Sequence, residues 1–576
     1  MSSRRVGRFA VMLAAILLCV ACGQIYRPVV IPTQLTPPTP ANFHTVFGLD
    51  ANVPGQPGAA VQIDVSGDSV VGQTPTDPNS KNVGILPTHL AVLPNQSRLF
   101  VASAGGMFTT GTDLVAAFSP SPDSRVGVGL GTVFDFTLPP GQTSGISAIS
   151  ESGGLVTATL STPLGNNLQA GDLIAIAGVD LNQYNGTFPL ASVSGATIQY
   201  VNPVTGLAAS SGGTASVAAL PVFLNTTQNS AMYVANYNSN SVAVLNLSLN
   251  AVSNTVPVGI HPVGLAETPD GRKLYVANQG SNTVSSLNTV DMSSNPVTGF
   301  SGTTPVWVVA RSDSHRIYVL TQGDGQLVTL DTATDSVIGS IPVGAGANFA
   351  AYDSHLTRLY VANPTNGTVS VISTTGGAND TPTLLKTITI PGLASCATCS
   401  AGIPNQIAAL RDGSRFYVAS YQTATACPDP NIADLLGNPL PCVIPQVAIL
   451  DANGLTVKTS LFLLAPPVFK ATSSATPQPY AVAPIASCAP AATFTPGSTR
   501  FRMTTAAAAD SSRVYVGICD AGAIAVINTT TSTIGTGSTN TPDTLVTDLL
   551  APFSARPAGA NGRPAPQNPI FLMTGQ

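Results

Sequence analysis

The chain has 576 residues, enough for several ordinary domains or one large closed architecture. Charged residues make up only 9%, the formal charge is −5, and 53 glycines and 47 prolines punctuate a chain that is 44% apolar. With Glu151 and Glu267 as its two glutamates and no basic run beyond the first eight residues, the composition argues for a β-rich globular protein and against a helical or nucleic-acid-binding one.

The first twenty-two residues read MSSRRVGRFAVMLAAILLCVAC. Arg4, Arg5 and Arg8 form a basic head, and the thirteen apolar residues 9–21 are too few to span a bilayer of about 30 Å but suit a signal-peptide core. The core closes in Cys19-Val20-Ala21-Cys22-Gly23, which resembles the bacterial lipobox, although that family usually has Leu where Cys19 stands. The resemblance implies that residues 1–22 are a lipoprotein signal peptide and that Cys22 is lipidated. Residues 23–42, rich in Pro and Thr, are expected to form an extended tether. The body is then exported into an oxidising compartment and held at the membrane through its lipid alone. Gly23, by analogy with other lipoproteins, points to the outer membrane, on its periplasmic side or at the cell surface.

The body carries an internal repeat. Residues 230–245, SAMYVANYNSNSVAVL, return forty-two positions later as RKLYVANQGSNTVSSL at 272–287. Aligned on the aromatic, Phe100, Tyr233, Tyr275, Tyr318, Tyr360, Tyr417 and Tyr515 share one frame. A basic residue stands two positions earlier in six units: Arg98, Lys273, Arg316, Arg358, Arg415 and Arg513. A period near forty built from short alternating strands is what a propeller blade requires, because a lone four-stranded sheet cannot cover both faces and a ring of them can. Four further segments, 43–50, 59–65, 69–76 and 568–575, complete one more blade from the two chain ends. The expected fold is therefore an all-β propeller of seven or eight four-stranded blades, eight favoured, with the last closed by both termini. The YVAN tract, with P-D-G before it and N-T-V-S after it, resembles the YVTN family of β-propeller repeats, related in shape to NHL-type and lactonase-like propellers. That resemblance covers roughly 85–140 and 219–530 and implies a bacterial surface or secreted protein.

Residues 144–218 break the repeat and read as a small inserted β-domain, dividing the propeller into 43–143 and 219–576. Further interruptions fall at 104–113, 394–403, 422–446 and 467–500. In an antiparallel meander, loops between blades and loops between strands two and three leave from the same end. Every large insertion should therefore decorate one face, where binding sites on a rigid scaffold are usually found. Cys396, Cys399, Cys427, Cys442, Cys488 and Cys519 all fall in or beside these loops, and pairing within each loop suggests Cys396–Cys399, Cys427–Cys442 and Cys488–Cys519.

Catalytic signatures are missing. The sequence holds no H-E-x-x-H, G-x-S-x-G or phosphate loop, and Cys396-Ala-Thr-Cys399 lacks the following His of a haem site and the second close pair of a zinc site. No catalytic residue, metal ligand or cofactor is assigned. His261, just before Pro262, is placed at the channel mouth on the decorated face. The expected role is a monomeric binding or scaffold module at the cell envelope, its partner a protein or glycan. The alternatives are a lactonase-like hydrolase acting at the channel mouth, or a surface-layer or adhesion component.

Overall fold

The computed structural model describes residues 44–51, 58–75, 86–105, 113–120, 130–165, 167–375, 380–394, 396, 399–427, 436–439, 442–463, 503–519, 522–530, 532–533, 539–550 and 568–575. The signal peptide, Cys22, the tether, the 467–500 loop and Cys488 lie outside the described residues.

The repeat fixes each blade locally. In 262–296 the strands are Pro262–Glu267, Lys273–Asn278, Thr283–Asn288 and the short Ser294–Pro296, paired antiparallel in that order. Positive φ at Gly271 and Asn282 lets the chain reverse between them, a conformation that Gly and Asn tolerate best. Alternate side chains of the second strand then point to opposite neighbours. Tyr275 and Ala277 pack with Val308 and Ile317 of the following blade, while Leu274 and Val276 pack with Val242 and Val244 of the preceding one.

Eight such sheets are present. In chain order, blade 1 joins Asn568–Thr574 to Thr45–Ala51, Ala59–Asp64 and Ser69–Pro75, so both chain ends supply strands to one sheet. Blade 2 starts at Leu86–Val92, blade 3 at Pro221–Asn225, blade 4 at Pro262–Glu267, blade 5 at Pro305–Ala310, blade 6 at Phe349–Asp353, blade 7 at Ile403–Ala409 and blade 8 at Met503–Ala507. These first strands touch in sequence around a complete circle, with that of blade 8 against Asn568–Thr574. A separate apolar core fills each of the eight interfaces, the last built from Ala506, Tyr515 and Ile524 against Val46, Ile63 and Leu572. A closed eight-bladed propeller results, as the repeat and the split terminal blade imply.

Polar latches reinforce these cores. Lys273 reaches the next blade to donate to Asp335 at 2.7 Å, and the Tyr275 hydroxyl donates to the same carboxylate. Arg415 and Tyr417 share Asp543, Arg513 and Tyr515 share Asp68, and Arg98 donates to Asn250. Each acceptor sits in the turn between the third and fourth strands of its blade, at φ between +44° and +62°.

Between blades 2 and 3 the chain forms a closed six-stranded barrel from Thr143–Ser152 to Thr214–Val217, with its own core around Tyr184, Ile198 and Tyr200. The segment expected as a loop at 422–446 is partly regular. The second and third strands of blade 7 extend to ten residues each, Arg415–Ala424 and Cys442–Asp451, and remain paired out to Ala424 and Cys442. The pairings of Tyr421 with Pro445, Gln422 with Ile444 and Thr423 with Val443 carry the ladder beyond the blade as a projecting hairpin.

Candidate functional site

The end of the ring at which first strands begin and second strands finish carries both projections. The barrel enters and leaves there through a short ladder in which Gly141 donates to the Val217 carbonyl and Val217 to that of Gln142. Ala218 donates to the carbonyl of Leu173, and the Leu220 amide donates to Asp113 at 2.9 Å. Asp113 also accepts from Gly105, so Gly105 and Asp113 are tied to the barrel exit, and burial raises the Asp113 carboxyl above the usual range. The blade 7 hairpin stands at the same end. Cys399 pairs with Ala424 in an isolated bridge, and Leu393, Cys396 and Cys399 pack on Ala424, Cys427 and Ile444. Cys396 and Cys399 form a disulfide, and Cys427 and Cys519 are each disulfide-bonded. Cys488 and the side chain of Cys442, their expected partners, lie outside the described residues.

His261 stands at the mouth of the blade 4 first strand, but the barrel covers it. It is 6% exposed, its Nε2 lies 2.9 Å from Oδ1 of Asp172 on the barrel, and its ring stacks on Tyr237 at 4.2 Å. Its backbone amide donates to Asn240, and its φ of +54° is the left-handed conformation that non-glycine residues rarely adopt. A His–carboxylate pair can serve catalysis as base and orienter. Here both members are nearly solvent-free and join the barrel to the propeller, so the pair works as a clasp. Both glutamates are similarly engaged: Glu151 accepts three amides within the barrel, and Glu267 binds Thr226 and Thr227 across a blade interface.

The channel itself is lined by side chains that the repeat frame did not single out. Five first strands carry the same bulge after an opening proline, at Pro87, Pro221, Pro262, Pro305 and Pro404. The residues two positions on are His89, Phe223, Gly264, Trp307 and Gln406. Phe223 and Trp307 belong to blades that are not neighbours, yet their rings meet edge to face at 5.4 Å across Gly264. They can do so only within the channel. His89 stacks on Phe223 and touches Phe571, while Trp307 touches Phe349, so an aromatic arc spans five contacting rings. The Nδ1 of His89 accepts from the Leu224 amide, which leaves the neutral ring's proton on Nε2. The spacing of two from the strand-opening proline was the available signal for three of these residues. Among the described residues, no group of three or more His, Cys, Asp or Glu side chains is gathered to hold a metal.

Beside the barrel lies a cleft of ≈ 380 Å³. One wall is the barrel's entrance with Leu164, Gly165, Asn167 and Leu168, and the other is the turn 238–241 and the end of the fourth strand of blade 3.

No protein-family model matches the chain, and no curated protein matches it in sequence. Solved structures align with it at low identity. The periplasmic gluconolactonase of Pseudomonas aeruginosa matches at 14% identity and a TM-score of 0.42, over 73% of this chain and 95% of that one. A candidate 6-phosphogluconolactonase from Bacteroides fragilis matches at 12% and 0.41, over 74% and 97%. Hydrazine synthase of Kuenenia stuttgartiensis matches at 17% and 0.38, over 54% and 77%.

Proposed function

We propose that this chain is an exported, lipid-anchored propeller that works as a binding or scaffold module at the cell envelope, with its partner docking on the face that carries the barrel and the disulfide hairpin. One observation carries the reading: both projections stand at the same end of a closed ring, joined to it by backbone ladders and the His261–Asp172 clasp. A rigid disc with its barrel and its hairpin at one end presents that end to a partner. At the opposite end the described connections are turns, apart from a two-stranded ribbon, Ser532–Thr533 with Thr539–Asn540, in blade 8. The Cys22 lipid and the 23–42 tether would hold the disc near a membrane and leave it free to reorient.

The test uses photo-crosslinking residues placed in living cells. Leu436 on the hairpin and Val204 on the barrel, 87% and 43% exposed, report on the decorated end. Val290 and Leu249, 86% and 71% exposed in turns between third and fourth strands, report on the other. Adducts from the first pair and none from the second are expected, and they should fade when Cys22→Ser releases the chain from membranes. Adducts confined to Val290 and Leu249 would overturn the reading. Turnover of lactones by the purified protein would replace it with a lactonase-like hydrolase.

A further inference from the structure

The cleft beside the barrel has a composition that selects among ligands. No charged side chain lines it, so an anionic or cationic ligand would enter without a counter-charge and lose hydration uncompensated. Its polar floor is already fixed. Asn238 donates to the Leu173 carbonyl, Asn240 accepts from the His261 amide, and the hydroxyls of Ser239 and Ser241 bond each other. These bonds hold the floor in one arrangement before any ligand arrives, which lowers the ordering cost of binding.

At the rim the situation differs. Gln142, Asn167 and Thr255 are exposed and line the cleft, and their side chains make no hydrogen bond to any described residue. A carboxamide offers an acceptor and two donors, and a hydroxyl offers both roles. That combination matches adjacent hydroxyl groups, which also donate and accept. The Gln142 carboxamide lies beside Gly165, whose φ of +96° is a conformation that favours glycine. Leu168 and Val258, both half-buried, supply apolar surface in the cleft, suited to the C–H face of a sugar ring.

A peptide is matched less well. An extended peptide pairs with an exposed strand through alternating amides, and Pro140 and Pro257 stand in the cleft without an N–H to give.

From the neutral lining, the fixed floor and the uncommitted rim we infer that this cleft binds a short uncharged oligosaccharide. This rests on the docking reading above and names the ligand class for one part of that face. The size of ≈ 380 Å³ falls within the range of small-molecule sites.

The experiment probes purified full-length protein on an array of neutral oligosaccharides, uronate- or sulfate-bearing oligosaccharides, and peptides. Two variants accompany it: Gln142→Ala with Asn167→Ala, and Thr255→Trp to fill the cleft. All three positions are exposed, and melting curves check that each variant folds. Binding of neutral oligosaccharides is expected, weakened about tenfold by the double variant, as two lost hydrogen bonds imply, and abolished by the tryptophan. Binding only of acidic glycans or peptides, neutral binding that neither variant changes, or no binding at all would each overturn the inference. Crosslinks at Leu436 and Val204 with no neutral sugar bound would defeat this inference alone. Crosslinks confined to the opposite end would defeat the docking reading itself.

Discussion

The second strand of six blades carries a polar residue three positions after the aromatic, and these residues, Ser103, Asn236, Asn278, Thr321, Asn363 and Ser420, are fully buried. Such regular recurrence marks a structural role, and the contacts agree. The Nδ2 of Asn278 donates to Thr283 and Ser285, and that of Asn363 to Thr368 and Ser370, tying second strand to third. Blade 1 departs from the pattern with Asp50, three after Phe47. The third-strand residues that would answer it are Ala59 and Val61, which offer no side-chain donor, and among the described residues neither carboxyl oxygen finds a hydrogen-bond partner. Burial alone pushes the carboxyl up to about 8. Below about pH 4 the folded and unfolded chains both hold this proton, so the group is neutral to stability. As pH rises the unfolded chain releases it and the folded chain does not, so stability falls by about 1.4 kcal/mol per pH unit until the folded carboxyl ionises near 8. Asp50→Asn should therefore melt higher than the parent at pH 8, with the difference shrinking to nothing near pH 4. Asp64 and Asp68, whose carboxyls burial also raises, are common to both proteins and cancel in the comparison. An equal gap at every pH would refute this account.

Among the elements, the blades were the most legible in the sequence, because their pairing is local and each strand meets its neighbour a few residues away. The basic residues before the aromatic were visible for the same reason. Their partners Asp68, Asp335 and Asp543 were not, since each lies in the turn of the next blade and nothing in the local spacing marks it. The inserted β-domain could be read as strands and turns. Its closure depends on Thr214–Val217 pairing with both Thr143–Ser152 and Leu173–Ala177, contacts across long separations that periodicity does not encode. The clasp is a further case, with Asp172 and His261 eighty-nine residues apart. Removing one partner leaves the other buried without its hydrogen bond, a cost of roughly 1–3 kcal/mol. Asp172→Ala should loosen the barrel from the propeller while both remain folded, because each has its own core. The expected signature is faster proteolysis at 139–142 and 218–220 with little change in the barrel's own hydrogen-exchange protection. Unchanged cleavage would show that the Leu173 contacts suffice and the clasp is dispensable.

For the molecule as a whole, stability is shared around the ring, and the ring is closed by one strand from the far end of the chain. Asn568–Thr574 pairs with Thr45–Ala51 from Val46↔Thr574 to Ala51↔Asn568. It also serves two interfaces at once: Ile570 packs with Phe47 and Leu90 toward blade 2, and Leu572 packs with Val46 and Tyr515 toward blade 8. No other blade depends on a pairing between residues more than five hundred positions apart. Truncation after residue 567 removes these two apolar side chains, each contributing about 1.5–3 kcal/mol by burial, and exposes a strand edge lined by amides. Because every interface in a ring has a neighbour on both sides, an opened ring loses the constraint that holds its first and last sheets together. The truncated protein should unfold several kcal/mol more easily, show a larger radius of gyration in solution scattering, and associate through the bared edge of Thr45–Ala51. Adding a synthetic 568–576 peptide should reverse the expansion by supplying the missing strand. A truncated chain that melts and scatters like the parent would show that seven complete sheets hold the disc shut without it.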